Sequence, residues 1–468
     1  MKICSIFILC ITCLMHLAAQ GFDTKPKNIL IIYSDDHSYH ALGAAGNKQI
    51  KTPNLDKLVK QGMYFTQAQV MGGNQGAICT PSRAMMLTGR YVNKLPGDGA
   101  IISDSVTSMP EVLRSKGYTT FHSGKWHNDK ASHHRMFSNG GNIFFGGMHF
   151  EKEGGQFHPK VYSFNKDGNY ATSELKKVDT FSSELYANDA IRFLNSDLAQ
   201  SNPFLCYVAF TSPHDPRTPP AHFLNLYNPD KIKLPKNFLP QHPFDIGTLS
   251  IRDELLLPKP LSIVAIKKEI ALYYAMVSEM DFQVGRILDA LDKNGLRQNT
   301  LIVFAGDNGL AVGQHGLLGK QNLYEHSIRV PLIFSGPGVP HGKKYEGYTY
   351  LSDISPTILS YLDMDIPTSM EGLSHYNVFH QPKIQIRSSI YNLYSSYMRS
   401  VKSNDHYKLI LYHYKGLRST QLFNLEQDPW ETKNLAGKPV YQKKVEKLKR
   451  ELQLRMFSSN DPLTIEDF

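Results

Sequence analysis

KNILIIYSDDHS, residues 27–38, decides how the rest of the chain is read. From Ile29 to Tyr33 the run is apolar without alternation, long enough for a strand and far too short for a membrane span. A strand with no polar alternation is buried on both faces, as in a mainly parallel sheet. The run then ends in Asp35 and Asp36. Carboxylates just beyond a buried strand stand where open α/β sheets bind their ligands.

The same texture recurs at YTTFHSGKWH (118–127), PFLCYVAFTSPH (203–214), NTLIVFAGDNG (299–309) and RVPLIFSGPG (329–338). Each run is rich in β-branched or aromatic residues and bounded by Gly, Pro, Asn or Ser. Helical patterns lie between them, notably TPNLDKLVKQGM (52–63) and residues 267–295, which end in Gly295. The alternation predicts an α/β fold: a large, mostly parallel mixed sheet sandwiched by helices. Residues 130–180 and 215–265 are rich in Gly, Pro, His and Asn with weak periodicity, and read as long insertions over the sheet. From about residue 370 the texture changes to an antiparallel meander, followed by an amphipathic helix at YQKKVEKLKRELQLRMF (441–457). The expected layout is a catalytic domain over 21–368 and a smaller α+β subdomain with an antiparallel sheet over 369–468.

The first twenty residues, MKICSIFILCITCLMHLAAQ, have a lysine, an apolar run and small residues before a polar stretch. That is a signal-peptide pattern, with cleavage expected near Ala19 or Gln20 and an exported, periplasmic or secreted, product. A membrane anchor is the alternative, but the run is short and His16 interrupts its end. No later segment is apolar for long enough to cross a bilayer, so no stable membrane insertion is expected. Of five cysteines, Cys79 and Cys206 fall beyond this segment. A bridge between them is compatible with export, although Cys206 sits in a strand-like run where cysteine acts as a small apolar filler. The net charge of +9 is spread along the chain. It allows an anionic substrate, and with no zinc-finger spacing or basic heptads it gives no sign of nucleic-acid binding.

Asp35, Asp36, Asp307 and Asn308 offer hard oxygen donors at two strand ends. Clustered carboxylates repel, and a calcium ion, or less suitably magnesium, resolves that. The same pairs serve equally well as helix caps or turns. Arg83, Lys125, His127, His214 and Lys320 would together suit an anion with several oxygens, such as sulfate or phosphate. Taken singly, each is as readily a solvated or structural side chain, and His40, His315 and His326 receive no role. Lys125 and His127 are two apart, so an extended segment points them the same way. In ICTPSRAMMLTGR (78–90), Thr80 can cap a helix and Pro81 suits its first turn. Cys79 then lies at a helix start, where amides favour anions and a thiol is reactive. An inert, packed cysteine is the bland alternative.

Cys79-Thr80-Pro81-Ser82-Arg83 followed by Leu87-Thr88-Gly89 resembles the type I sulfatase signature C-x-P-S-R-x-x-x-L-T-G at every fixed position. The likeness continues through NILIIYSDDH, TPNLDKLVKQGMYF, SGKWH, SPHDPRTPP, AGDNGLAVGQHGLLGKQNLYEHSIRVPLI and LFNLEQDPWETKNLA, in that order. It implies an alkaline phosphatase-like fold and conversion of Cys79 to formylglycine (3-oxoalanine). A formylglycine-generating or anaerobic sulfatase-maturating enzyme would perform that step. In the family scheme the hydrated aldehyde attacks sulfur with one hydroxyl, and the other then expels sulfate. By resemblance one calcium is held by Asp35, Asp36, residue 79, Asp307 and Asn308, and Arg83 supports position 79. Lys125 holds the sulfate, His127 is the base for the elimination, and His214 with Lys320 protonates or neutralises the leaving alkoxide.

The resemblance extends to exported carbohydrate sulfatases and iduronate-sulfatase-like enzymes. An exo-acting enzyme on sulfated oligo- or polysaccharide is expected, with Arg217, His158 and His149 as candidate sugar contacts. Those three also read as ordinary surface residues. The rival expectations are a phosphodiesterase or phosphonate monoester hydrolase of the same superfamily, and a catalytically dead sulfated-glycan binding protein.

Overall fold

A computed structural model describes residues 27–468 of the chain. The signal-peptide reading of residues 1–20 lies outside the described residues. The Asn28–Ser34 strand runs through the centre of a ten-stranded sheet. On one side it pairs in parallel with Thr300–Gly306, and on the other with Phe204–Ala209, which pairs with Thr119–Lys125. These four strands are four of the five apolar runs predicted to be buried, and their registers align their carboxyl ends.

Alternate residues of the central strand enter different cores. Ile29, Ile31 and Tyr33 join one cluster, and Leu30 and Ile32 another. That is the reason the run lacks polar alternation. The second core is closed by helices Pro53–Lys60, Ser182–Leu194 and Ile263–Lys293. The first is closed by Cys79–Thr88, Met109–Ser115, Ile354–Tyr361 and the C-terminal sheet.

The edges are mixed. Leu332–Ser335 runs antiparallel to both Thr300–Gly306 and Gly62–Phe65. On the far side, Asn139–Phe144 pairs in parallel with Thr119–Lys125 and leads to the antiparallel strands Lys160–Ser163 and Lys176–Lys177. Three short strands of 130–180, a stretch expected to lie over the sheet, therefore extend it instead. The C-terminal meander forms as expected, from Ser389–Tyr394 to Leu417–Asn424, and Gly72–Gly73 adds a parallel edge to it. The Gln442–Ser458 helix packs on this sheet through Val445, Leu448, Leu452 and Met456. Among the described residues no helix is long and apolar enough to cross a membrane.

Candidate active site

The aligned strand ends deliver the polar residues to one place. Asp35 and Asp36 follow Asn28–Ser34, and Asp307 and Asn308 follow Thr300–Gly306. The Ser34–Gly306 pairing sets the acids side by side, and the Asp36 amide donates to Asp307 Oδ1 over 2.9 Å. Lys125 is the last residue of its strand, and His214 lies in the loop after Phe204–Ala209. All are buried.

Cys79 opens the Cys79–Thr88 helix. Ile78, not Thr80, occupies the N-cap, and Thr80 lies inside the first turn with Pro81, because the helix begins at Cys79, ahead of the Pro81 start that a Thr80 cap requires. Around Cys79 Sγ stand His127 Nδ1 at 3.1 Å, Lys125 Nζ at 3.5 Å and Lys320 Nζ at 3.9 Å. Burial pushes the Cys79 thiol up despite the two lysines, so this is a shielded thiol and not an exposed thiolate. Lys125 and His127 both reach Cys79, but the extended segment ends at Lys125, and His127 has φ +65.

Three ion pairs join cations to acids. Lys125 Nζ lies 2.6 Å from Asp35 Oδ2, Lys320 Nζ 2.6 Å from Asp36 Oδ1, and Arg83 Nη2 2.9 Å from Asp307 Oδ2. Burial works against the Asp35 charge, but Lys125, His214 and Arg83 hold its carboxyl far below the usual carboxylate range. Burial, with Asp35 alongside, pushes Asp307 up to about 7. Burial also opposes the Lys320 charge, yet Asp36 and its other neighbours leave it well above the normal lysine value. His127 is driven well below the usual histidine range by burial and then by Lys125, so it is neutral and able to accept a proton.

The residues fit a hard cation. Asp35 Oδ1 and Asn308 Oδ1 are buried acceptor oxygens to which nothing donates. Donor atoms of Asp35, Cys79 and Asp307 lie within 4.8 Å of one another, as do those of Asp35, Asp36 and His214. An oxygen-rich set of carboxylates with orphan acceptor oxygens suits calcium or magnesium better than zinc.

The cavity above Cys79 has a volume of about 290 Å³ and is walled by His127, Met148, His214, Arg252, Asp253 and Lys320, among others. His214 Nδ1 bonds the Asp215 carbonyl at 2.8 Å, and its Nε2 lies 3.5 Å from Asp36 Oδ2. Arg252, Asp253 and Glu254 belong to the segment expected to be an insertion, and no motif marks them. Glu254 accepts from the amides of Leu318 and Gly319 and so fixes the loop carrying Lys320. Arg252 pairs with both Asp215 and Asp253. A lone Asp-Glu pair without strand or cap context offers no signal from which this could be read.

The three candidate sugar contacts do not converge. His149 is buried, bonded to Tyr186 and packed on Phe144. His158 lines a separate hollow with Phe157, Asp179 and Phe223. Arg217 is buried and pairs with Glu269, while its Nε and Nη2 lack partners. His315 and His326, given no role, stack with Tyr324 beneath the C-terminal sheet. Both Cys79 and Cys206 are free thiols.

A family model described as sulfatase matches residues 27–364, and one described as N-sulphoglucosamine sulphohydrolase, C-terminal, matches 313–457. The ulvan-active sulfatase of Formosa agariphila is 27% identical over 96% of this chain and 84% of its own length. A solved protein in complex with its substrate D-glucosamine-2-N,6-O-disulfate superposes with TM-score 0.77 at 23% identity, covering 94% of this chain and all of that one. The phosphonate monoester hydrolase of Agrobacterium radiobacter superposes with TM-score 0.74 at 20% identity, over 92% and 96% of the two chains. At these identities the two structural likenesses speak for the fold alone.

Proposed function

From the premise that the chain belongs to the sulfatase family and is a hydrolase of sulfuric esters, we propose that it removes sulfate from sulfated carbohydrate, with residue 79 as a formylglycine. The observation that carries this is the placing of Cys79 Sγ between Lys125, Lys320 and His127 and beside the Asp35 and Asp307 carboxylates. As a formylglycine, residue 79 supplies a hydrated aldehyde whose hydroxyl is the nucleophile. Asp35, Asp36, Asp307, Asn308 and residue 79 would hold a calcium ion, which when bound would supply positive charge for an anionic substrate and lower the pKa of that hydroxyl.

The chain's own residues then divide the work. Lys125 and Lys320 present two buried ammonium groups to the anion, in a place where water does not screen them. Arg83 holds Asp307 and the Lys125 carbonyl at once, which fixes the nucleophile helix against two strand ends. Neutral His127 stands at Nδ1 to take a proton from position 79. His214 is tied at Nδ1 to the backbone, leaving Nε2 to carry a proton toward a leaving sugar oxygen.

A carbohydrate substrate is supported by the ulvan-active relative. The walled 290 Å³ cavity favours reaction at a chain end over an open cleft. The N-terminal pattern favours an exported enzyme that a maturating enzyme has modified. The test is sulfate release from defined sulfated oligosaccharides by protein matured at residue 79, with nitrophenyl sulfate and a nitrophenyl phosphate diester run in parallel. Turnover of the phosphate diester alone favours the phosphonate-hydrolase reading that the fold also permits. Binding of sulfated oligosaccharide without sulfate release favours a dead binding protein.

A further inference from the structure

A second cavity, about 450 Å³, opens on the same end of the sheet but shares no lining residue with the cavity above Cys79. Its size lies within the ~300–1,000 Å³ range of small-molecule sites. One wall is the loop after the first central strand, carrying Tyr39 and Lys48. A second is the segment with Lys233 and Lys236, and Trp430 enters from the C-terminal subdomain. Tyr274 lies on the helix behind.

The walls are tied together without the cavity being filled. Gln49 Oε1 accepts from the Lys233 amide at 2.6 Å. Asn47 Nδ2 donates to Tyr274 and to the His40 carbonyl. The floor tyrosine, Tyr273, donates to the Asp36 carbonyl over 2.8 Å, so the cleft backs directly onto the candidate metal residues. Trp430 and Tyr39 are only half-buried, and His40 lies between their rings. Lys48, Lys233 and Lys236 are exposed, and among the described residues none of them pairs with a carboxylate. No acidic side chain lines the cleft.

Aromatic faces offer surface to the C–H faces of a sugar ring, and unpaired ammonium groups above them select for anionic substituents. We propose that this cleft is a second saccharide-binding site, taking a sulfated or otherwise anionic sugar segment away from the reacting sulfate ester. The inference rests on the carbohydrate reading above for its choice of ligand. The cleft would hold a polymeric substrate near the enzyme without touching the chemistry, adding effective concentration to the catalytic event.

The experiment titrates a tetrasaccharide of glucosamine-6-sulfate, and its unsulfated counterpart, into the Cys79→Ala protein, which cannot be matured. Binding is read by calorimetry and by tryptophan fluorescence. The sulfated ligand is expected to occupy two sites, falling to one in Trp430→Ala, with the cleft binding it at least about tenfold tighter than the unsulfated ligand. Lys48→Ala/Lys233→Ala/Lys236→Ala, on surface positions that do not threaten folding, is expected to weaken cleft binding about tenfold and to flatten its salt dependence. In the matured protein with Cys79 intact, the same lysine changes leave nitrophenyl sulfate turnover unaltered. Equal affinity for both tetrasaccharides, unchanged binding in the triple variant, or tighter binding of an oligonucleotide of equal charge would overturn the proposal. If nitrophenyl sulfate is hydrolysed and cleft binding fails, the cleft inference falls alone. If the cleft binds and no sulfate ester is hydrolysed, the sulfatase mechanism falls instead.

Discussion

Arg83 Nη2 stands 2.9 Å from Asp307 Oδ2 with both side chains wholly excluded from solvent. The same guanidinium donates through Nη1 to the Lys125 carbonyl at 3.0 Å. One side chain thus binds the helix of Cys79 to two strand ends. Arg83→Ala leaves a buried carboxylate without its partner, a change expected to cost ~3–5 kcal/mol in denaturant unfolding. Arg83→Lys keeps the charge but loses the fork that reaches both partners, and is expected to fall between the two. A Cys79→Ala protein of wild-type stability, carrying either Arg83 change, separates this structural loss from loss of activity.

If Asp35, Asp36, Asp307 and Asn308 hold the proposed ion together, chelation is felt as instability as well as lost turnover. With calcium at a hundred times its dissociation constant, its removal is expected to cost ~2.7 kcal/mol. Asn308→Ala, which deletes an orphan acceptor oxygen, is expected to remove most of that calcium-dependent shift in melting temperature. A melting temperature indifferent to chelator in the wild-type protein would speak against a resident ion.

Gly124 precedes Lys125 at φ +110, and a Cβ there would fall 1.9 Å from the Ala209 carbonyl oxygen. Gly124→Ala must therefore open the strand pair that aims Lys125. Backbone strain alone contributes ~1–3 kcal/mol, and the displaced Lys125 should lower kcat further. Wild-type unfolding and wild-type kcat in Gly124→Ala would contradict this placement.

Glu279 lies buried in the long Ile263–Lys293 helix, with Oε2 lacking a partner and Gln283 donating to Oε1. Burial raises its carboxyl to about 7. Its folded value therefore exceeds the unfolded one, and its contribution is complete at low pH and lost as pH rises through about 7. Glu279→Gln should stabilise the protein at pH 8 by roughly 1–3 kcal/mol, with the advantage vanishing toward pH 5. An advantage independent of pH would show that Glu279 is not a buried neutral acid.

The central strands and their terminal acids were legible because double burial writes itself as an unbroken apolar run, as in Ile29–Tyr33. That Asp35, Asp36, Asp307, Asn308 and Lys125 come together followed from position at strand ends. Asn139–Phe144 was not legible, because Gly140 and Gly141 carry no strand signal. They are glycines since Phe164 and Asp189 leave no room for a Cβ. Lys125 and His127 converge on Cys79 as foreseen, but the strand on which that expectation rested ends at Lys125, and His127 takes a left-handed φ. Glu254 and Arg252 reach the site through tertiary contacts alone, and His158 lies apart for the same reason. Loop sequence without periodicity does not state which way a loop folds.

The central claim is that residue 79 works as an aldehyde. The most direct measurement is peptide mass spectrometry of residue 79 in purified protein, fractionated alongside sulfate release from a glucosamine-6-sulfate oligosaccharide. Sulfate release is expected to track the fraction of peptide in which the cysteine CH₂SH has become an aldehyde, and Cys79→Ser, produced without maturation, to release none. Full sulfate release from protein in which residue 79 is entirely unmodified cysteine would contradict it.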